Sequence, residues 1–206
     1  VGKLKVYKAY QTDTMSGVLE VPADQVEVLR RSSSEANILM RYLEDYNPDL
    51  KNMFRITMGP EEHTDRLIDL FESVSWLYSL DISNSDAASI INTRAEGYTI
   101  HRREVYFEKA GLNIGIHRVI IPPGKKVSLH SHSKQDELFI FYSDAYFELT
   151  GNRFDVEEGN FIKVNPNDIH MIYAPENRFA RFLAFRFPYS HTDKVDPAGQ
   201  RVIHEN

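Results

Sequence analysis

Gly124-Lys-Lys-Val-Ser-Leu-His130-Ser-His132-Ser-Lys-Gln-Asp-Glu137, with Gly159 and His170 further along, is the part of the chain from which its architecture is best read. Residues two apart in a strand point to the same face, so His130 and His132 offer both imidazoles to one point on the inner wall of a sheet. A short polar turn, Ser133 to Asp136, lets Glu137 return to that point, and His170 closes the set from a later strand. Three neutral imidazoles and one carboxylate suit a first-row divalent ion and leave one or two coordination positions open. The spacing predicts a reactive metal site.

The same residues carry a family likeness: the sequence resembles the cupin superfamily. The first cupin motif, G-x5-H-x-H-x4-E-x6-G, is matched by Gly124, His130, His132 and Glu137, with Asp144 where the last glycine is expected. The second, G-x5-P-x-G-x2-H-x3-N, is matched by Gly159 and His170. Its proline is displaced by one to Pro166, Asn167 stands at the second glycine and Ala174 replaces the asparagine. Asn tolerates positive φ better than other non-glycine residues, so Asn167 fits a turn, and no departure touches a ligand position. The resemblance covers roughly the C-terminal half. It implies a jelly-roll barrel of the double-stranded β-helix type and one divalent metal ion per chain (Fe, Mn, Ni or Zn), but it does not specify a reaction.

Composition sets the outer limits. The chain has 206 residues, 42% hydrophobic and 26% charged, within the range of ordinary globular proteins. A formal charge of −6 gives no global attraction to nucleic acid or to an anionic membrane face. No apolar run approaches the roughly 20 residues of a membrane helix, and the N-terminus has no basic-then-apolar signal pattern. The absence of cysteine removes disulfides and thiolate ligands, so any metal must be held by nitrogen and oxygen. A cytoplasmic location is expected.

Leu4 to Tyr10 alternates like a short edge strand. Pro22 opens a helical segment over Ala23 to Arg31, and Ser32 with Glu35 looks like a capping box ahead of Ile38, Leu39, Tyr42 and Leu43 at helical spacing, stopped by Asn47-Pro48. Gly59-Pro60-Glu61-Glu62 opens another helix, with the stripe Leu67, Leu70, Phe71, Val74 and Leu77. Asn84 to Glu96 is a third helical candidate, ended by Gly97. The expected organisation is a mostly helical region over 1–97, a β-barrel over 98–190 and a tail over 191–206. A DNA-binding reading of the helical region is disfavoured, because residues 1–98 carry ten Lys and Arg against sixteen Asp and Glu. From Tyr98 the period switches to two, and short strands separated by turns follow to Phe187.

Strand alternation that aims the ligands inward also aims Phe139 and Phe141 inward. Anchors for a small polar substrate are sought among His117 or Arg118, Lys163, and Arg181 or Arg186; only one of two adjacent residues can face in. Tyr142, Tyr146 and Tyr173 could supply hydroxyls, and no general base stands out. With Fe(II) the resemblance implies a dioxygenase, and with Mn(II), Ni(II) or Zn(II) a decarboxylase, lyase or sugar isomerase. The alternative is a non-catalytic metal- or small-molecule-binding sensor. A homodimer is expected from the family, with Leu4 to Tyr10 as a possible exchanged edge.

Overall fold

The computed structural model describes residues 8–11, 16–57, 60–79 and 90–200. The chain divides into two compact units, Val1–Ser79 and Leu80–Asn206.

The first unit has two of the expected helices and, beside them, a sheet not anticipated from the sequence. Four antiparallel strands, β1 (Lys8–Gln11), β2 (Ser16–Glu20), β3 (Arg41–Tyr42) and β4 (Met53–Thr57), form a sheet in the order β1-β2-β4-β3. Residues 4–7 of the expected edge strand lie outside the described residues, and β1 pairs with β2 of its own chain. Helix α1 (Val26–Glu35) ends where a second helix was expected to begin, so Ser32 is a buried residue of its last turns and not a cap. Asn37 adopts φ 54°, which an α-helix cannot continue through. Tyr42 is therefore free to pair in β3, where its ring meets Phe54 edge-on at 4.8 Å. Helix α2 (Glu61–Tyr78) starts at Pro60 and packs on α1. Its stripe turns Leu70, Val74 and Leu77 into the core of this unit, with Leu29 and Phe54 also fully buried.

The second unit begins upstream of the boundary expected after residue 97. β5 (Ile90–Thr93) is a strand, paired with β6 (Thr99–Phe107) around the turn at Gly97, in place of the end of the expected third helix. Residues 84–89 of that helix lie outside the described residues. The remaining strands are β7 (Leu112–Ile121), β8 (Lys126–His132), β9 (Asp136–Phe141), β10 (Ala145–Leu149), β11 (Asn152–Val156), β12 (Phe161–Val164), β13 (His170–Tyr173), β14 (Ala180–Phe187) and β15 (Lys194–Val195). They make two antiparallel sheets, ordered β11-β10-β13-β8-β15 and β12-β9-β14-β7-β6-β5. The two sheets form a jelly-roll barrel, and the protein is mainly β.

Between the sheets, Phe139, Phe141, Phe147 and Phe182 mesh edge-to-face or tilted, with centroids 5.4 to 6.5 Å apart, beside Val119, Ile121, Val127 and Ile172. Burial of this apolar cluster is the main force closing the sheets on one another. Asn167 takes φ 70°, as its place in a tight turn requires, and its amide donates to the carbonyl of His132 at 2.7 Å. That bond ties the turn before His170 to the strand carrying His132. The expected tail is partly barrel: β15 pairs with the end of β8, and Asp193 and Lys194 are buried.

Candidate metal centre and cavity

Register determines which side chains meet. Across β7, β14 and β9, Gly115, Arg186 and Glu137 lie in one row, and His117, Ala184 and Phe139 in the next, which Arg102 extends on β6. On the opposite sheet His170 pairs with His130, and Lys194 with His132. The pairing of β13 with β8 slips between His170 and Ile172, a bulge of the kind that re-aims side chains at sites.

The result brings His130, His132, Glu137 and His170 together, with one ligand atom of each within 4.8 Å of the others. All four are at most 2% exposed. Nδ1 of His130 lies 2.7 Å from the carbonyl of Ser128, and Nδ1 of His170 3.1 Å from that of Asp168. A carbonyl only accepts, so each proton belongs on Nδ1 and each Nε2 is left as a free lone pair. Nε2 of His170 is 2.8 Å and Nε2 of His132 3.4 Å from the Glu137 carboxylate. Neither approach has hydrogen-bond geometry, so the Nε2 atoms and both carboxylate oxygens are buried without a hydrogen-bond partner. Such a cluster is costly to bury unless something satisfies it. Three lone pairs and a carboxylate converging on one point are a donor set that a divalent cation satisfies.

Electrostatics favour the ligand-competent protonation states. Burial, with Lys194 and His170 nearby, holds His130 well below the usual imidazole range, and burial beside Arg186 brings His132 down to about 3. Burial alone would raise Glu137, but Arg186, with Nε 2.6 Å from Oε1, overrides it and holds the carboxyl well below its usual range. Because His132 is neutral at pH 7, the permanent guanidinium is the cation responsible.

His130 and His132 open on a cavity of about 70 Å³, while Glu137 and His170 are fully buried and take no part in its wall. Of the sequence-derived substrate candidates, His117, Arg186 and Phe139 line it. Phe141 packs in the core instead. Arg118 and Arg181 are not in the wall, since each alternates with an inward neighbour, His117 and Phe182. Lys163 stands on the outside, 58% exposed and 3.0 Å from Asp136. Tyr142, Tyr146 and Tyr173 are also absent from the wall; Tyr173 donates to Glu148 and stacks near Arg153.

Several wall residues carry no motif. Arg94 and Tyr98 come from the turn between β5 and β6, Arg102 from β6, and Tyr189, Ser190, His191 and Lys194 from the segment after β14. That segment is pinned: Asp193 accepts from the Ser133 hydroxyl and from the amides of Lys134 and Gln135 at 2.8 and 3.1 Å, and the Gln135 side-chain amide donates to the Ser190 carbonyl at 2.5 Å. The only sequence signal for it was the polar turn Ser133 to Gln135, whose amides needed an acceptor. His117 is 3% exposed, edge-on to Tyr189 at 5.4 Å, and neither ring nitrogen has a hydrogen-bond partner. Burial and the adjacent Arg186 hold it well below the usual imidazole range.

No family model matches the chain, and no curated protein matches it. Solved structures do. A predicted oxalate decarboxylase from Thermotoga maritima is 18% identical over 52% of this chain and 97% of its own, with a TM-score of 0.41. An RmlC-like cupin from Shewanella frigidimarina is 10% identical over 54% of this chain and 91% of its own, at 0.42. KdgF from Halomonas sp. is 16% identical over 54% and 94%, at 0.41. These are likenesses of the barrel, whose architecture the strand order already establishes.

Proposed function

We propose that this chain, whose barrel has the cupin fold, is a metal-dependent enzyme acting on a small polar molecule held between the metal tetrad and the cavity wall. The observation that carries the reading is the tetrad's position: four buried groups whose metal-facing atoms have no hydrogen-bond partner, two of which border a cavity. A divalent ion held there would supply Lewis acidity and a template for an oxygen donor of the substrate. The residue atoms do the remaining work. Phe139, Val127, Ile172 and Phe182 exclude water and lower the local dielectric. Arg186 fixes the Glu137 carboxylate in its charged form.

His117 is the group suited to moving a proton. It is neutral at pH 7, lines the cavity and has both nitrogens without hydrogen-bond partners; its N–H can donate to bound substrate, and an anionic substrate that offsets Arg186 raises the basicity of the other nitrogen. This favours an enzyme over a passive binding module. Reactions that begin with proton movement on a small oxygenated substrate, of the decarboxylase, lyase or isomerase type, use such a group directly; a dioxygenase is the other reading, if the resident metal is iron.

The test is elemental analysis of purified protein, then turnover with Fe(II), Mn(II), Ni(II) or Zn(II) against a panel of small keto acids, hydroxy acids and sugars, followed alongside by oxygen consumption. Turnover that falls at least about 100-fold in His117→Gln, with metal content unchanged, supports the assignment. Stoichiometric metal with no turnover across the panel would move the reading to a binding module.

A further inference from the structure

The cavity has a charge pattern that its metal ligands do not explain. Among the described residues its wall contains four permanent or strong cations, Arg94, Arg102, Arg186 and Lys194, and no carboxylate. Three of the four are engaged: Arg186 lies 2.6 Å from Glu137, Arg102 lies 4.0 Å from Glu104, and Arg94 has a partner of its own. Lys194 differs. It is 7% exposed, its backbone is fixed beside His132 by β-pairing, and among the described residues its ammonium makes no hydrogen bond or ion pair. The ammonium itself is not sealed off: it reaches the cavity, where its three donors are open to an anion. His117 adds a second nearly buried polar group with no partner, facing the same space. A divalent ion at the tetrad would make the surroundings more positive still, so the ion cannot be what balances Lys194.

We infer that Lys194, backed by Arg102 and Arg186, forms an anion subsite of the cavity, and that the ligand it takes is a short-chain carboxylate. The apolar wall of Val127, Ile172 and Phe182 suits a short hydrocarbon segment. About 70 Å³ limits that segment to a few carbons. The inference deepens the proposed function by naming a substrate class, and it rests on that reading for the ligand's metal-facing end only.

Calorimetric titration with succinate and with its uncharged analogue succinamide tests it, on the full chain, metal-free and Zn(II)-loaded, at matched ionic strength. Succinate binding at least tenfold tighter than succinamide, weakened threefold or more in Lys194→Met and by less than that in Lys163→Met, supports the subsite. Equal binding of the two probes, or a smaller loss in Lys194→Met, overturns it. If Lys194→Met proves unfolded by circular dichroism, Arg102→Met decides on the same criterion. Zn(II) stoichiometry is measured separately. Zinc bound without carboxylate selectivity sinks the subsite and leaves the metal reading standing, whereas carboxylate selectivity without zinc binding does the reverse.

Discussion

At the scale of single residues, the site depends on imidazoles kept neutral by burial. His117, His130 and His132 all have folded values below the ordinary 6.5, with His132 at about 3. The unfolded chain therefore binds more protons than the folded one below pH 6.5. Their contribution is complete above that pH and is lost as pH falls towards the folded values, at up to about 1.4 kcal/mol per pH unit for each imidazole. Lys194, depressed from 10.5 to about 8, changes stability only above pH 8, in the sense of raising it. The metal-free protein should accordingly show a urea midpoint that is level between pH 7 and 8 and declines steadily from pH 6.5 to 5; a midpoint level down to pH 5 would contradict the buried, neutral assignment. Substitution His132→Ala removes one lone pair from the tetrad and should lower metal affinity by more than about 100-fold, with circular dichroism unchanged. Full metal content in that variant would remove His132 from the ligand set.

Elements determine whether those residues can meet, and here sequence and structure part company unevenly. The barrel strands were legible because period-two alternation, glycine turns and the two motifs all agreed, down to Asn167 in its left-handed turn. The first unit was less so. Ile38, Leu39, Tyr42 and Leu43 satisfy helical spacing by coincidence, but a two-residue strand is too short to register as alternation, and only the φ of Asn37 ends the helix. The cavity wall after β14 was illegible for another reason: its residues are placed by one carboxylate, Asp193, reaching three donors near the metal motif some sixty residues earlier. Asp193→Ala leaves those donors, of which the Gln135 amide is buried, without their acceptor and should cost about 1–3 kcal/mol, with amide exchange accelerating first in residues 189–195. Unchanged exchange there would mean that β15 alone holds the segment. Gly115 offers a second check. It has no Cβ because the Tyr189 ring lies against its Cα, closer than any Cβ would allow. Gly115→Ala should push Tyr189 off its edge-on seat against His117, costing about 1–3 kcal/mol and altering Tyr189 fluorescence or ring NMR shifts. Wild-type spectra in that variant would show that the ring can yield without disturbing the wall.

For the molecule as a whole, the division after Ser79 has a consequence for where the candidate site resides. All four candidate ligands, every cavity-wall residue and the strap carrying Asp193 and Lys194 belong to Leu80–Asn206. The barrel has its own buried core, centred on Phe139, Phe141, Phe147 and Phe182, and the first unit has another, built on Leu29, Phe54, Leu70 and Leu77. A fragment of 127 residues is large enough to bury most of the apolar surface that a single domain needs. Residues 80–206 expressed alone should therefore unfold cooperatively in urea, bind one divalent ion per chain, and do so with an affinity within about threefold of the full protein, since no donor is lost. Beginning the fragment at residue 98 should fail the same test, because it removes β5, exposes the edge of β6 and deletes Arg94 from the cavity wall. If instead the longer fragment folds but loses its metal, the tetrad draws support from the first unit, and the site is a property of the whole chain.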